Sequence, residues 1–168
     1  MTSKQRVAQA KRNAAISNAL RAKLERGEEL TFDEDELALG GNVRWIVDDA
    51  VKFVKRELKR ETRYDGIILD PPSYGHGARG EVWRLTRDLA PMLDRCAELC
   101  DDSAGFVMLT CHTPSFNSQA LERALRDSFE KTSRQKNVRY MSKPIVVRSS
   151  AGRALPSGDL ALATFGVG

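Results

Sequence analysis

The feature that most constrains this chain is a short apolar run that ends at one carboxylate and two prolines. The run spans Gly66–Leu69, and Asp70, Pro71 and Pro72 follow it directly. A nearly continuous apolar run between turn-forming residues predicts a buried parallel strand rather than a half-exposed one. Because proline donates no backbone hydrogen bond, the two prolines end the strand and direct the chain outward.

Asp70 therefore stands where ligands bind in open α/β sheets, at the carboxyl end of a strand. A second apolar run, Gly105–Thr110, predicts another central parallel strand, which ends at Cys111 and His112. We expect Asp70 and Cys111 to lie at neighbouring strand ends, with the aromatic ring of Tyr74 just beyond the prolines.

Length and composition indicate one globular domain. The 168 residues suffice for one core, and 41% hydrophobic and 30% charged residues are ordinary for a water-soluble protein. No apolar run approaches the roughly 18 residues of a membrane-spanning helix, and the N-terminus has no secretory core, so we expect a cytoplasmic protein. The net charge of +4 suits an RNA partner.

Three cysteines, Cys96, Cys100 and Cys111, do not form a disulfide framework. Cys96 and Cys100 are four residues apart in a helical pattern and could share a helix face. Only His76 and His112 could join them as further soft ligands, so we expect buried packing and no metal site.

Hydrophobic periodicity predicts alternating helices and strands along the rest of the chain. The predicted elements are a helix over Ser3–Asn18, a strand over Val43–Val47, a helix over Ala50–Arg60, a helix over Glu81–Cys100 with a kink at Pro91, a helix from Ser115 or Asn117 to Lys131, and strands over Asn137–Arg148 and Leu160–Phe165. The short Gly, Ser and Pro-rich connection between the last two strands predicts an antiparallel pair.

Residues 19–41 interrupt this pattern. They are acidic, contain few apolar residues and end in Gly40 and Gly41. We interpret them as a surface insertion, and a functional lid is the alternative.

The segment Asp70–Gly75, with the sequence Asp-Pro-Pro-Ser-Tyr-Gly, resembles motif IV of class I S-adenosylmethionine-dependent methyltransferases. The segments Arg44–Ala50 and Tyr64–Glu81 are similar to the branch that modifies cytosine in large-subunit ribosomal RNA. The resemblance extends from about Ser3 to Phe165. It implies a Rossmann-like α/β methyltransferase sandwich with a mostly parallel sheet and a C-terminal antiparallel hairpin, S-adenosyl-L-methionine as cofactor, and RNA as partner.

The N-terminal part of that family's domain has no counterpart here. Its glycine-rich first loop and its first two strands are missing, and no glycine precedes Gly27. We therefore expect a partial methyltransferase domain, whether a fragment, a mis-assigned start or a natural truncation. Missing strands would leave an exposed sheet edge, which favours self-association or a partner chain.

The resemblance also implies roles for individual residues. Asp49, directly before Ala50, would accept a hydrogen bond from the adenine amino group of the cofactor, whereas helix capping is its structural alternative. Ala50, Asp70 and Pro71 would complete the cofactor site. The residues expected to bind substrate are Pro72, Tyr74, Arg79 and His112.

Methylation of cytosine at carbon 5 requires a nucleophile at carbon 6 and a hydrogen bond at N3. Cys111 would supply the thiolate and Asp70 the hydrogen-bonding acid, with the base presented from single-stranded or flipped RNA and stacked on Tyr74. Two alternatives stay open. In the first, Cys111 is only a buried strand-end residue and His112 is the polar group that takes part in the reaction. In the second, Asp70 and the Pro71 carbonyl activate an exocyclic amine for nitrogen methylation.

A catalytically inactive remnant that binds RNA or a partner protein is the competing hypothesis.

The loop Gly75–Gly80 has the sequence pattern G-x-G-x-x-G, which is typical of dinucleotide-binding sites. Because Pro71 and Pro72 separate that loop from the strand, and no acid follows at a strand tip, we interpret it as a mobile loop beside the site.

Overall fold

The structure is a computed structural model that describes Arg26 and residues 46–77, 80–132, 134–150 and 152–166. The predicted helix over Ser3–Asn18, the predicted insertion apart from Arg26, most of the predicted strand Val43–Val47, and Arg79 lie outside these residues. The described elements, in chain order, are α1 (Ala50–Lys59), β1 (Gly66–Leu69), β2 (Tyr74–His76), β3 (Val82–Arg84), α2 (Leu85–Leu99), β4 (Ala104–Cys111), α3 (Ser118–Thr132), β5 (Arg139–Arg148) and β6 (Ala154–Gly166).

Four of the strands form one sheet in the order β1-β4-β6-β5, and β2 pairs with β3 in a separate hairpin. The strands β1 and β4 are parallel neighbours, with Leu69 opposite Leu109. The strand β6 is antiparallel to both β4 and β5. The predicted α/β fold and its C-terminal antiparallel hairpin are confirmed.

Helix α1 begins at a side-chain cap. Asp49 accepts a hydrogen bond of 2.8 Å from the Lys52 backbone N–H, which satisfies one of the free donors of the first turn. Val54 is buried against α2, together with the partly buried Val51 and Leu58. The sequence prediction of this helix, its cap and its apolar face is therefore confirmed.

Helices α2 and α3 cover one face of the sheet, which we call the helix-covered face. It carries Val107, Leu109 and Cys111 of β4 and Ala161 and Ala163 of β6, and all five are at most 1% exposed. Leucines of α2 and α3 fill the space above them. Full burial of one such leucine contributes about 1.5–3 kcal/mol, so this layer is the main source of the stability of the fold.

The opposite side of the sheet, which we call the open face, carries Ile68 of β1, Met108 and Thr110 of β4, and Leu160 and Leu162 of β6. Leu160 and Leu162 are buried, but Ile68 is 62% exposed. The prediction of a fully buried strand over Gly66–Leu69 is therefore wrong for its open side. Among the described strands β1 pairs with β4 alone, and no described helix packs over Ile68.

Ile46 and Val47 are exposed and belong to no strand, so the end of the predicted strand Val43–Val47 is not formed. The prediction that Glu81 begins a helix is also wrong. Val82–Arg84 is instead strand β3, because it pairs with Tyr74–His76, and α2 starts only at Leu85.

The same hairpin corrects the expected mobile loop, because Gly75 and His76 lie in β2. Pro91 lies inside α2, which continues through it without a break. Within the described residues, no helix combines the length and the apolar character needed to cross a membrane.

Candidate active site

Asp70 and Thr110 form the centre of the site. Asp70 follows the last residue of β1, and the parallel register places it beside Thr110 near the end of β4. The Thr110 hydroxyl donates a hydrogen bond of 2.8 Å to Asp70 Oδ1, and His112 Nε2 lies 3.5 Å from the same oxygen. The Asp70 and His112 side chains are 59% and 57% exposed, so both can reach a ligand.

The loops that follow β1 and β4 are joined by their hydroxyl groups. Ser73 Oγ and Thr113 Oγ1 are 2.5 Å apart, within hydrogen-bonding distance. This contact links the segment after Asp70 to the segment after Cys111. The two strand ends therefore present one continuous polar rim.

The hairpin β2–β3 holds the proline segment in place. Trp83 Nε1 donates a 2.7 Å hydrogen bond to the Pro72 carbonyl, and the Leu85 N–H donates one of 3.0 Å to the Ser73 carbonyl. Among the described residues, the Pro71 carbonyl accepts no hydrogen bond. Trp83 and Leu85 thus hold the segment after Asp70, and the Pro71 carbonyl within it has no partner among the described residues.

The structure does not bring Cys111 to Asp70. The Cys111 side chain is 1% exposed and packs in the core of the helix-covered face, and its Sγ accepts a 3.4 Å hydrogen bond from the Thr113 N–H. Asp70 instead shares the open face with Thr110. Successive residues of a strand point to opposite faces, so this alternation is the signal that could have identified Thr110 from sequence.

Tyr74 and His76 form an exposed aromatic pair on β2. Their rings are 4.9 Å apart and nearly perpendicular, and the Tyr74 hydroxyl lies 3.0 Å from His76 Nε2. Tyr74 is 51% exposed. The geometry is compatible with stacking of a planar group on Tyr74, and the role itself stays a prediction.

Asp48 and Asp49 divide two tasks at the start of α1. Asp48 forms an ion pair with Arg56 and accepts a hydrogen bond from its guanidinium. This hydrogen bond holds the pKa of the Asp48 carboxyl below its usual range. Asp49 uses Oδ1 to cap α1, and within the described residues its second oxygen has no partner. Val47 beside it is fully exposed, as is much of Ala50. A free carboxylate oxygen next to apolar surface fits an adenine ring with its amino group.

The site is an open surface. In the described part of the chain, a concavity of about 160 Å³ lies elsewhere, lined by Arg139, Tyr140, Met141, Leu162 and Thr164. Ligand pockets usually measure roughly 300–1,000 Å³, so this concavity is too small for a nucleotide-sized ligand. Within the described residues, the candidate site is therefore the group of polar residues around Asp70.

Comparison with known proteins places this arrangement among methyltransferase folds. No protein-family profile and no curated protein matches the sequence. Solved structures do match, and the chain is similar to the S-adenosylmethionine-dependent methyltransferase from Agrobacterium tumefaciens, with 30% sequence identity and a TM-score of 0.65. The match covers 77% of this chain and 42% of that one, so the chain spans less than half of its relative's length. The described fold is therefore the Rossmann-like methyltransferase fold.

Two further solved structures are similar at lower levels. One is assigned as a methyltransferase and was solved with SAH, with 19% identity, a TM-score of 0.49 and coverage of 72% of this chain and 30% of that one. The other is a precorrin-6y C5,15-methyltransferase from Geobacter metallireducens, with 13% identity, a TM-score of 0.38 and coverage of 90% and 60%.

Proposed function

We propose that this chain catalyses S-adenosylmethionine-dependent methyl transfer to a nucleobase of RNA. The observation that supports the proposal best is the exposed Asp70 carboxylate at the carboxyl ends of two parallel strands, followed directly by Pro71, whose carbonyl has no partner among the described residues. Ligands bind at this edge in open α/β sheets. The similarity to a solved S-adenosylmethionine-dependent methyltransferase supports the same class of reaction.

The cofactor, when bound, supplies an activated methyl group on a sulfonium. In our proposal the free oxygen of Asp49 accepts a hydrogen bond from its adenine amino group, beside Ala50. Asp70 and Pro71 would contact the reacting end of the cofactor. The described residues thus offer contacts to the adenine and to the reacting end.

The geometry supports an exocyclic amine as the methyl acceptor. The Asp70 carboxylate and the Pro71 carbonyl are two adjacent acceptors, as many as an amino group has N–H bonds, and together they can orient its nitrogen. The cofactor would supply the methyl group from its sulfonium for the new nitrogen–carbon bond, and the nitrogen would lose one proton to Asp70. Thr110 holds Asp70 for this step, and His112 lies near enough to share the proton.

Methylation of cytosine carbon 5, the reaction that the sequence resemblance favours, requires the Cys111 thiolate in contact with the base. Cys111 lies on the helix-covered face, opposite to Asp70, and is almost completely buried. The N4 amine of cytosine therefore agrees better with the described geometry than carbon 5. Ribosomal RNA as the source of that cytosine rests on the sequence resemblance.

The test compares Asp70→Asn with Cys111→Ala, using tritiated cofactor, cytosine-containing RNA and nucleoside analysis of the product. We expect Asp70→Asn to lower kcat/KM by about 100-fold or more, because the oriented acceptor is weakened, a loss of about 2.7 kcal/mol or more in transition-state stabilisation. Cys111→Ala should stay within about threefold of the parent. Abolished transfer in a folded Cys111→Ala variant, with a 5-methylcytosine product in the parent, would overturn the nitrogen reaction.

A non-catalytic module that binds RNA or a partner protein is the second candidate. It is favoured by the exposed side chains of Ile46, Val47 and Ile68, which offer apolar surface to a partner chain or a second copy. Calorimetry with S-adenosylmethionine separates the two candidates. Absence of cofactor binding to the folded chain supports the module, and micromolar binding supports the enzyme.

A further inference from the structure

The last two strands extend well beyond the rest of the sheet. Cys111, the last residue of β4, lies opposite Asp159, so residues 154–158 of β6 continue past the end of β4. At about 3.3 Å per residue, this extension projects roughly 15 Å beyond the edge that carries Asp70. Val146–Arg148 of β5 pairs with Ala154–Pro156 and projects with it. We call Val146–Arg148 together with Arg153–Pro156 the arm.

A bulge at the base of the arm connects it to the candidate site. The register shifts between Pro144 and Val146, and Gly158 opposite them has a φ of +95°. A Cβ atom on Gly158 would lie 2.4 Å from the Cys111 carbonyl oxygen and 2.9 Å from His112 Nδ1. The arm therefore starts in direct contact with the strand end that carries His112.

The arm combines positive charge with exposed apolar side chains. Arg148 and Arg153 of the arm, and Lys143 just before it, belong to residues 143–158, a segment that contains no Asp or Glu. None of the three forms an ion pair with the described residues. Val147 and Leu155 face each other across the strands and are 51% and 65% exposed.

The backbone register places part of this surface on the side of the sheet that carries Asp70. Lys143 pairs with Leu160, and Ile145 packs with Leu160 and Leu162 of the open face. The extra residue of the bulge lies in β6, so alternation continues along β5 and places Val147 on the same side. Leu155 pairs with Val147, so it shares that side. A polymer lying along this side of the arm would be directed toward Asp70.

We propose that the arm binds the sugar-phosphate backbone of a single-stranded polynucleotide and presents it to the Asp70 site. This inference rests on the proposed function, in which that polynucleotide is the RNA substrate. Cations attract the phosphates, and the exposed Val147 and Leu155 offer an apolar contact to sugars and bases. A second copy of the arm is a poor occupant, because two segments that carry only positive charge repel each other.

The experiment measures binding of a fluorescein-labelled, 20-nucleotide single-stranded RNA by anisotropy over a range of salt concentrations. The test variant is Arg148→Gln/Arg153→Gln, and the control is Lys55→Gln/Lys59→Gln, which removes the same charge from the exposed side of α1. We expect the test variant to bind about tenfold more weakly at 0.1 M salt. If both arginines contact phosphates, its salt slope falls by about 1.4, at about 0.7 per contact.

The control should stay within about twofold of the parent, and circular dichroism should show all variants folded. Equal RNA affinity of the test variant and the parent would overturn the proposal that the arm binds RNA, even if the parent methylates RNA. Binding of the parent to vesicles of anionic phospholipid but not to RNA would also overturn it. Selective loss of RNA binding in the test variant, without methyl transfer by the parent, would support the arm and overturn only the proposed enzyme.

Discussion

The helix-covered face and the open face of the same sheet differ in how far their side chains are exposed. On the first, Val107, Leu109 and Cys111 are at most 1% exposed, beneath two helices. On the second, Ile68 is 62% exposed and leads to Asp70, whose side chain is 59% exposed. Adjacent residues of one strand thus belong to different environments. Thr110 bonds to Asp70, whereas Cys111 packs in the core.

The difference indicates which substitutions affect stability and which affect chemistry. Close packing makes the helix-covered face sensitive to the loss of a few methyl groups. The open face has room around its polar residues, so changes there can alter ligand binding without unfolding the chain. The residues of the proposed site therefore lie where substitutions should cost little stability.

The largest expected effect is on the helix-covered face. Leu125→Ala should lower the free energy of unfolding by about 2–5 kcal/mol, because Leu125 of α3 is 1% exposed and its removal leaves a cavity. Ile68→Ala is the matched change on the open face and should cost less than about 1 kcal/mol. Urea denaturation of both variants measures the contrast. Equal losses would mean that the open side of β1 is covered in solution.

A smaller effect on stability is expected at Gly158, at the base of the arm. Gly158→Ala should destabilise the chain by about 1–3 kcal/mol, since its φ is positive and its Cβ would clash with the Cys111 carbonyl. Gly152→Ala is the control, because Gly152 also has a positive φ but no atom within 4 Å of its Cβ. Thermal unfolding of both variants isolates the clash. A Gly152→Ala loss as large as that of Gly158→Ala would contradict the close contact.

The smallest effect concerns an ion pair between the loop before β4 and the segment after α3. Arg134 donates hydrogen bonds to Asp102 and so lowers the pKa of its carboxyl. A lowered folded-state pKa adds stability above the ordinary value near 3.8, and this stability is lost as the pH falls through the folded-state pKa. Arg134→Gln should therefore cost at most about 1 kcal/mol at pH 7, and nothing once Asp102 is protonated.

The measurement is the urea midpoint of parent and Arg134→Gln at pH 7 and at successively lower pH values below 4. The control is Lys136→Gln, since Lys136 is exposed and forms no ion pair within the described residues. A stability difference that stays constant down to the lowest pH would contradict the assignment to Asp102.

The sequence predicted the two strands that position the site, because their signal is local. The continuous apolar runs ending at Asp70 and near Cys111 identify parallel strands, and the structure places them side by side. The capped helix α1 was predicted for the same reason, since Asp49 and the spacing of Val51 and Val54 lie within one short segment.

The parts that sequence reasoning missed depend on pairing between distant segments. Val82–Arg84 fits a helical pattern as well as a strand, and pairing with Tyr74–His76 decides in favour of the strand. Residues 154–159 resemble a loop in composition, yet they extend β6 because β5 and β4 pair with them. The pairing of Asp70 with Cys111 was expected from their places in the chain, without regard to which face each side chain occupies.

The hydrogen bond from Trp83 to the Pro72 carbonyl has a spectroscopic consequence. The chain contains two tryptophans, Trp45 and Trp83, and Trp83 contacts the segment that carries Asp70. A Trp45→Phe variant would leave Trp83 as the sole indole fluorophore, attached to the site loop. The emission of Trp83 should then change when a ligand binds beside Asp70, so that ligand titrations can be followed without a label.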